Sequence, residues 1–129
     1  MDTIFIAAAP GTTWPPSRDD AEEHLLTRFP DTRTWRKHAP ATGRDYLDFQ
    51  VEIDGEIRLG SYFEHRNLVL TDGTPDVWAD TIAWFLNLLP ADSRVVAVVE
   101  SNPDSVRAIP PGADAEQIRE ILQSLVDIA

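Results

Sequence analysis

The longest apolar pattern in the chain lies between residues 74 and 90 and predicts a buried helix. Apolar side chains fill most of the helical circumference there, and the polar residues share one narrow strip. Thr74 followed by Pro75 is typical of a helix start, and the Thr74 hydroxyl is expected to accept a hydrogen bond from the first turn. Pro90 is expected to end the helix, because proline cannot continue the hydrogen-bond ladder. We expect the other elements to pack around this helix.

Two further helices are predicted from capping signatures. Ser17-Arg18-Asp19-Asp20 opens a helix that is expected to run to about Phe29 and to stop at Pro30. Asp114-Ala115-Glu116-Gln117 opens a C-terminal helix in the same way. The apolar stripe of that last helix consists of Ile118, Ile121, Leu122, Leu125 and Ile128.

The clearest strand signal is an alternation of apolar and polar residues between residues 47 and 63. Most odd-numbered positions are apolar both before and after Asp54-Gly55, a dipeptide that favours a tight turn. The pattern predicts a hairpin that buries its odd-numbered side chains and leaves its even-numbered side chains in water.

The same alternation predicts the register of this hairpin. Opposed residues in an antiparallel pair share a face, so both apolar sets meet only if the loop has three residues, Ile53 to Gly55. The glycine then takes the left-handed conformation of a bulged turn. In this register Val51 opposes Ile57, and Phe49 opposes Leu59.

Shorter apolar runs predict the other strands, at residues 3–8, 67–71 and 94–100, with a short edge strand at 106–109. The run at 94–100 is β-branched and apolar on both sides, which predicts a strand deep in the sheet. Residues 31–44 lack periodicity and are interpreted as a surface loop. The order β-α-β-β-β-α-β-(β)-α predicts one α+β domain over residues 1–129, with a mostly antiparallel sheet that contains a three-strand meander. Helices are expected to cover at least one face and to leave the other partly open.

Composition narrows the classes of protein that fit. The chain has 22 acidic and 11 basic residues, a formal charge of −11, which disfavours nucleic-acid and anionic-membrane partners. It has no cysteine, which excludes disulfides, thiolate metal sites and cysteine nucleophiles. The N-terminal residues do not resemble a secretory leader, and no apolar run approaches the about 20 residues of a membrane span. We therefore expect a cytoplasmic protein.

One stretch departs from this acidic character. Residues 28 to 44 contain five cations and one carboxylate, a local charge of +4, with Trp35 among them. Basic residues interleaved with aromatic ones are typical of single-stranded nucleic-acid binding, but one tryptophan is little support for it. The preferred interpretation is a solvated loop in which Arg33 or Arg36 covers the indole.

The sequence contains no recognisable catalytic motif and implies no cofactor or metal. Phosphate-binding glycine loops, zinc-protease motifs and nucleophile elbows are all missing. Two features remain as candidates for chemistry. Glu64 and His65 at a strand end pair a base with a carboxylate, and residues 100–104 follow the buried strand. A small enzyme or small-molecule-binding domain with a pocket between them is therefore the alternative hypothesis.

The leading hypothesis is a non-enzymatic protein-binding domain that acts on a basic or amphipathic partner. Small acidic α+β domains occur among inhibitory and immunity-type proteins, although fold class does not imply function. Self-association through the hairpin edge or Trp14 is a third possibility. The residues assigned to the partner surface are Asp48, Gln50, Glu52, Arg58, Tyr62 and Glu64 on the sheet, with Trp14 and Trp35 as exposed aromatic contacts.

Overall fold

The computed structural model describes residues 2–127, which form one antiparallel sheet and three helices. The helices are α1 (Arg18–Arg28), α2 (Pro75–Leu86) and α3 (Ala115–Asp127). The strands are β1 (Ile4–Ala8), β2 (Arg33–Ala39), β3 (Arg44–Ile53), β4 (Glu56–Phe63), β5 (Asn67–Leu70), β6 (Val95–Val99) and β7 (Asn102–Ile109). In the described chain the sheet order is β2-β3-β4-β5-β1-β6-β7, and all neighbouring pairs are antiparallel. The predicted α+β class and the meander β3-β4-β5 are confirmed.

Both predicted capping signatures form as expected. At α1 the Ser17 hydroxyl accepts from the backbone N–H of Asp20, and the Asp20 carboxylate accepts from the backbone N–H of Ser17. At α3 the Asp114 carboxylate and the Gln117 amide make the equivalent reciprocal pair. The apolar stripe of α3 faces the core, while Ile128, which was predicted to belong to that stripe, lies outside the described residues.

The central helix is buried as predicted but differs at both ends. Thr74 caps α2 through its backbone alone, because its side chain makes no capping hydrogen bond. The regular helix ends at Leu86, and the chain reaches Pro90 through two tighter turns. Trp78 is fully buried, and its indole N–H donates to the carbonyl of Thr71 at 3.0 Å.

The interpretation of residues 31–44 as a loop is wrong. Arg33 to Ala39 pairs with β3 in an unbroken register, and only residues 40–43 form the connecting turn. This edge strand shows no apolar alternation because its helix-facing side is polar. Thr34 and Arg36 both donate to the Glu22 carboxylate on α1, so an ion pair replaces the usual apolar contact.

The predicted register of the β3–β4 hairpin is also wrong. The loop has two residues, Asp54 and Gly55, with φ of 54° and 79°. Positive φ at both central positions defines a type I′ turn, whose twist matches that of the flanking strands. Ile53 therefore pairs with Glu56, and Val51 pairs with Arg58 rather than with Ile57.

All three helices lie on the same face of the sheet. Arg36, which binds α1, shares a face with Leu47, and Tyr62 on that face contacts the Phe85 ring of α2. Arg107, which shares a face with Ala97, donates to the Ser124 hydroxyl of α3. The hydrophobic core is therefore a single layer between this face and the helices.

Candidate interaction surface

The other face of the sheet, which we call the open face, is not covered by any helix of the described chain. Its residues follow from the register as three cross-strand rows. The first row is Arg33, Gln50, Leu59, Thr71 and Thr3; the second is Trp35, Asp48, Ser61, Val69, Phe5 and Val98; the third is Lys37, Tyr46, Phe63, Asn67, Ala7 and Val96. Glu52 and Ile57 extend the face towards the hairpin turn.

The centre of the open face is apolar. Val69, Phe5 and Val98 are adjacent across β5, β1 and β6, and they are only partly buried because nothing in the described chain lies over them. Leu59 is 41% exposed and Ile57 is 62% exposed, although both were predicted to lie in the core. Exposed apolar patches on soluble proteins commonly mark interaction surfaces.

Four of the residues predicted for the partner surface lie on this face. Asp48, Gln50 and Glu52 alternate along β3 with the buried residues of that strand, as expected. Trp35 is 45% exposed and lies directly opposite Asp48 on the neighbouring strand. It belongs to the strand β2 and not to a loop.

Three other predicted surface residues are corrected by the structure. Arg58 and Tyr62 lie on the helix-covered face, because the two-residue turn reverses the sides of β4. Burial raises the pKa of the Tyr62 phenol, and its hydroxyl donates to the carbonyl of Pro16. Trp14 is only 1% exposed, since its ring packs against those of Tyr62 and Phe85. None of these three side chains is available to a partner in this conformation.

Glu64 lies at the end of β4, where it organises a polar corner. Its carboxylate accepts from the backbone N–H of Arg18 at 2.8 Å and lies 3.6 Å from the ring of His65. His65 adopts a φ of 65°, and its Nδ1 lies 2.7 Å from the carbonyl oxygen of Trp14. These contacts tie the turn after β4 to the segment before α1, which is a structural role.

The two turns of the alternative hypothesis lie at opposite ends of the sheet. Arg66, beside His65, accepts from the backbone N–H of Ala8 at the end of β1. Ser101 donates to the carboxylate of Asp2, just before β1 begins. The whole length of β1 separates them, so the predicted pocket between residues 64–65 and 100–104 does not exist.

A shallow depression on the open face adjoins Trp35. It has a volume of about 410 Å³ and is lined by residues that include Trp35, Lys37, Asp48, Leu59, Ser61 and Thr71. The indole and Leu59 form its apolar sides. At its base Lys37 Nζ lies 3.1 Å from one Asp48 oxygen, and the Ser61 hydroxyl donates to the other at 2.5 Å. The depression therefore combines an exposed aromatic ring with an oriented carboxylate.

In the described chain, carboxylates pair with two of the five cations in the basic stretch between residues 28 and 44, namely Arg36 and Lys37. Arg36 donates to Glu22, which lowers the pKa of that carboxyl below its ordinary value. His38 lies 2.8 Å from Asp45, and this hydrogen bond lowers the pKa of the Asp45 carboxyl. Lys37 pairs with Asp48 in the same way, so Arg36 and Lys37 are both paired with carboxylates, and within residues 2–127 Arg33 is the one arginine or lysine of β2 without such a pair. A nucleic-acid site gains no support from this strand.

Carboxylates gather at one end of the sheet. That end contains the β3–β4 turn, the β5–α2 turn, the β6–β7 turn and the start of β1. Its acidic residues are Asp2, Asp31, Glu52, Asp54, Glu56, Asp72 and Glu100. Ile57 and Leu59 lie on the open face next to this acidic end.

One sequence signal for this surface, the dipeptide Asp54-Gly55, conflicts with the register predicted from the alternation of apolar and polar residues. Asp54-Gly55 is typical of a two-residue type I′ turn, and that turn alone would have placed Ile57 and Leu59 on the side opposite Val51. The depression beside Trp35 had no local signal, because it depends on the pairing of β2 with β3.

Searches against protein-family models, curated proteins and solved structures found no significant match to this chain. Within residues 2–127, no group of three or more histidine, aspartate or glutamate side chains is placed to hold a metal ion. No helix of that range has the length and apolar character needed to cross a membrane.

Proposed function

We propose that this chain is an acidic, non-enzymatic protein-binding domain of the cytoplasm and that its open face docks on a basic or amphipathic protein. The observation that carries this proposal is a sheet face with an apolar centre over which no helix of the described chain lies. Burying apolar area contributes about 25 cal/mol per Å², so covering such a face favours association.

The size of the open face suits a protein partner. Strands about 4.8 Å apart and rising about 3.3 Å per residue give this sheet a face of about 30 Å by about 20 Å. Protein–protein interfaces commonly bury roughly 800 Å² per partner, so one flat or helical surface would occupy most of this face.

Charge favours a basic partner over a second copy of the chain. Two copies of formal charge −11 repel each other, whereas a cationic protein is attracted and its association is accelerated. The acidic residues beside Ile57 and Leu59 place this attraction next to the apolar centre. An inhibitory or immunity-type role, in which the domain covers a functional surface of its partner, is the form of this proposal that we favour. The absence of cysteine fits the reducing cytoplasm.

Site-specific photo-cross-linking tests the proposal with a matched control. Leu59 on the open face is 41% exposed and Leu26 on α1 is 40% exposed, so a benzophenone amino acid at either position meets solvent equally. In extract of the native cell, we expect a defined cross-linked protein from position 59 and none from position 26. Excess unlabelled wild-type chain should compete for it, and the Leu59→Asp variant should not.

The outcomes are distinct. Equal cross-linking from both positions, or competition by Leu59→Asp, would show that the open face is not the docking surface. A cross-linked product of twice the chain mass, together with a dimer in light scattering, would replace the basic partner with a second copy.

A further inference from the structure

The depression beside Trp35 has the chemistry of a site for one cationic side chain. We propose that it binds the guanidinium group of an arginine on the partner protein, stacked on the Trp35 indole and hydrogen-bonded to the Asp48 carboxylate. This inference rests on the proposed function, because it assumes that a protein docks on the open face.

The register brings the aromatic ring and the carboxylate together. Trp35 on β2 lies directly opposite Asp48 on β3, and Asp48 lies directly opposite Ser61 on β4. Directly opposed side chains in an antiparallel pair have Cβ atoms about 5 Å apart. A planar group lying on the indole can therefore reach the carboxylate without any change in the backbone.

Asp48 is already oriented and still has capacity to accept. The Ser61 hydroxyl donates to Oδ1 at 2.5 Å and fixes the rotamer of the carboxylate. Lys37 Nζ lies 3.1 Å from Oδ2. Since two carboxylate oxygens offer about four lone-pair positions, further donors can bind to both of them.

The choice of arginine over lysine follows from shape and hydration. A guanidinium group is planar, is more weakly hydrated than an ammonium group, and can stack on an indole while donating to a carboxylate. Trp35 is 45% exposed, and within the described residues no arginine is stacked over its ring: Arg36 binds Glu22 on the other face, and the cation–π contacts are those of Arg28 with Phe29 and Trp84. The exposed indole is thus free to take a cation from outside.

Lys37 competes with an incoming arginine for the Asp48 carboxylate. Its side chain is 49% exposed and makes a surface ion pair with Asp48, an interaction that is commonly weak. Its ammonium occupies one position on Oδ2 and repels a second cation, so an incoming guanidinium competes with it at this oxygen. Removing this amine should therefore strengthen binding, whereas a merely structural Lys37–Asp48 pair would give no such effect.

The test uses N-acetyl-arginine amide as the probe, titrated at constant ionic strength and followed by the NMR signals of the Trp35 indole and its neighbours. N-acetyl-citrulline amide, which has the same shape without the charge, is the matched control ligand. We expect saturable shifts with arginine and none with citrulline. The Asp48→Asn and Trp35→Leu variants should each weaken binding about three-fold or more, given typical cation–π and ion-pair contributions at exposed sites.

Two more variants sharpen the result. Lys37→Ala should bind the probe about two-fold tighter or more, because an exposed ion pair no longer competes for the carboxylate. Glu23→Gln, which removes an exposed carboxylate from α1 on the other side of the sheet, should bind like the wild type. Unchanged melting temperatures for all four variants would confirm that the fold is retained.

Binding of citrulline as strongly as arginine, equal weakening by Glu23→Gln and Asp48→Asn, or weaker binding in Lys37→Ala would each overturn the arginine site. If the probe fails while position 59 still cross-links to a protein, the arginine site is wrong and the docking face stands. If cross-linking at position 59 fails as well, the proposed function itself is wrong.

Discussion

The two faces of β4 differ in burial in the opposite sense to their hydropathy. On one side Arg58, Gly60 and Tyr62 lie beneath the helices, and on the other side Ile57 and Leu59 meet solvent. By composition alone the second set is the one that belongs in a core. The helices and the turn decide otherwise, because a type I′ turn fixes the register and all three helices of the described chain pack on one face.

Each face compensates for its unusual residues in a different way. The buried Arg58 donates through one terminal nitrogen to the carbonyl of Asp72 and pairs through the other with Glu56 at 3.0 Å, while its buried Nε makes no hydrogen bond within residues 2–127. The exposed Ile57 and Leu59 are not covered by any helix of the described chain. This difference is the physical reason for assigning the partner surface to the open face.

The largest expected contrast is between two tryptophans. Trp78→Ala removes a fully buried indole and should cost about 3–5 kcal/mol of unfolding free energy. Trp35→Ala removes an exposed indole from the open face and should cost no more than about 1 kcal/mol. Chemical denaturation of both variants gives the comparison. Similar losses would mean that a further layer covers Trp35.

A smaller contrast compares adjacent residues on β4. A Cβ at Gly60 would overlap the ring of Phe49, so Gly60→Ala should destabilise the domain by about 1–3 kcal/mol through overpacking. Ser61→Ala, one residue further and on the open face, removes only the hydrogen bond to Asp48 and should cost about 1 kcal/mol or less. Thermal or urea unfolding of the pair measures both. Equal stability of the two variants would contradict the assignment of faces.

The turn that sets the register gives the next prediction. Gly55→Val forces a β-branched residue to a φ of 79° and should cost about 1–2 kcal/mol. Asp54→Gly, at the other left-handed position of the same turn, should be nearly neutral. Melting temperatures test both. A wild-type melting temperature for Gly55→Val would contradict the assignment of a type I′ turn.

The smallest expected effect concerns the ion pair of Arg36 with Glu22, which joins β2 to α1. The Arg36 guanidinium lowers the pKa of Glu22, so this carboxylate stabilises the fold above its ordinary value of 4.5, and the contribution is lost as the pH falls through its lower folded pKa. We expect Glu22→Gln to lose about 1 kcal/mol or less at neutral pH and nothing in strong acid. The neighbouring exposed carboxylate offers the control Glu23→Gln. Denaturation midpoints of both variants are measured at neutral pH and in strong acid. Equal midpoints for Glu22→Gln and Glu23→Gln at neutral pH would contradict a stabilising role of the Glu22 carboxylate.

Local chemistry predicted the parts of the fold that depend on nearby residues. The capping pair of Ser17 and Asp20 and the proline at the start of α2 are readable because their partners lie within one turn. Strand β2 was not readable, since its polar side is satisfied by Glu22 from a preceding helix. Likewise, no pattern in 94–100 could show that one of its two apolar sides would remain uncovered.

The candidate site was predicted in part for the same reason. The polar side of β3 follows from simple alternation, so Asp48, Gln50 and Glu52 were placed on the right face. The apolar residues of that face follow from the register of β4 and from where the helices pack. Both are decided by contacts between segments that are distant in the sequence.

Thiol labelling tests the assignment of faces most directly, because the chain has no cysteine of its own. Single variants Val51→Cys and Leu59→Cys place one thiol on each side of the same hairpin. In the folded protein we predict rapid maleimide labelling at position 59 and strong protection at position 51, with equal rates after denaturation. Equal rates in the folded protein, or faster labelling at position 51, would contradict the account.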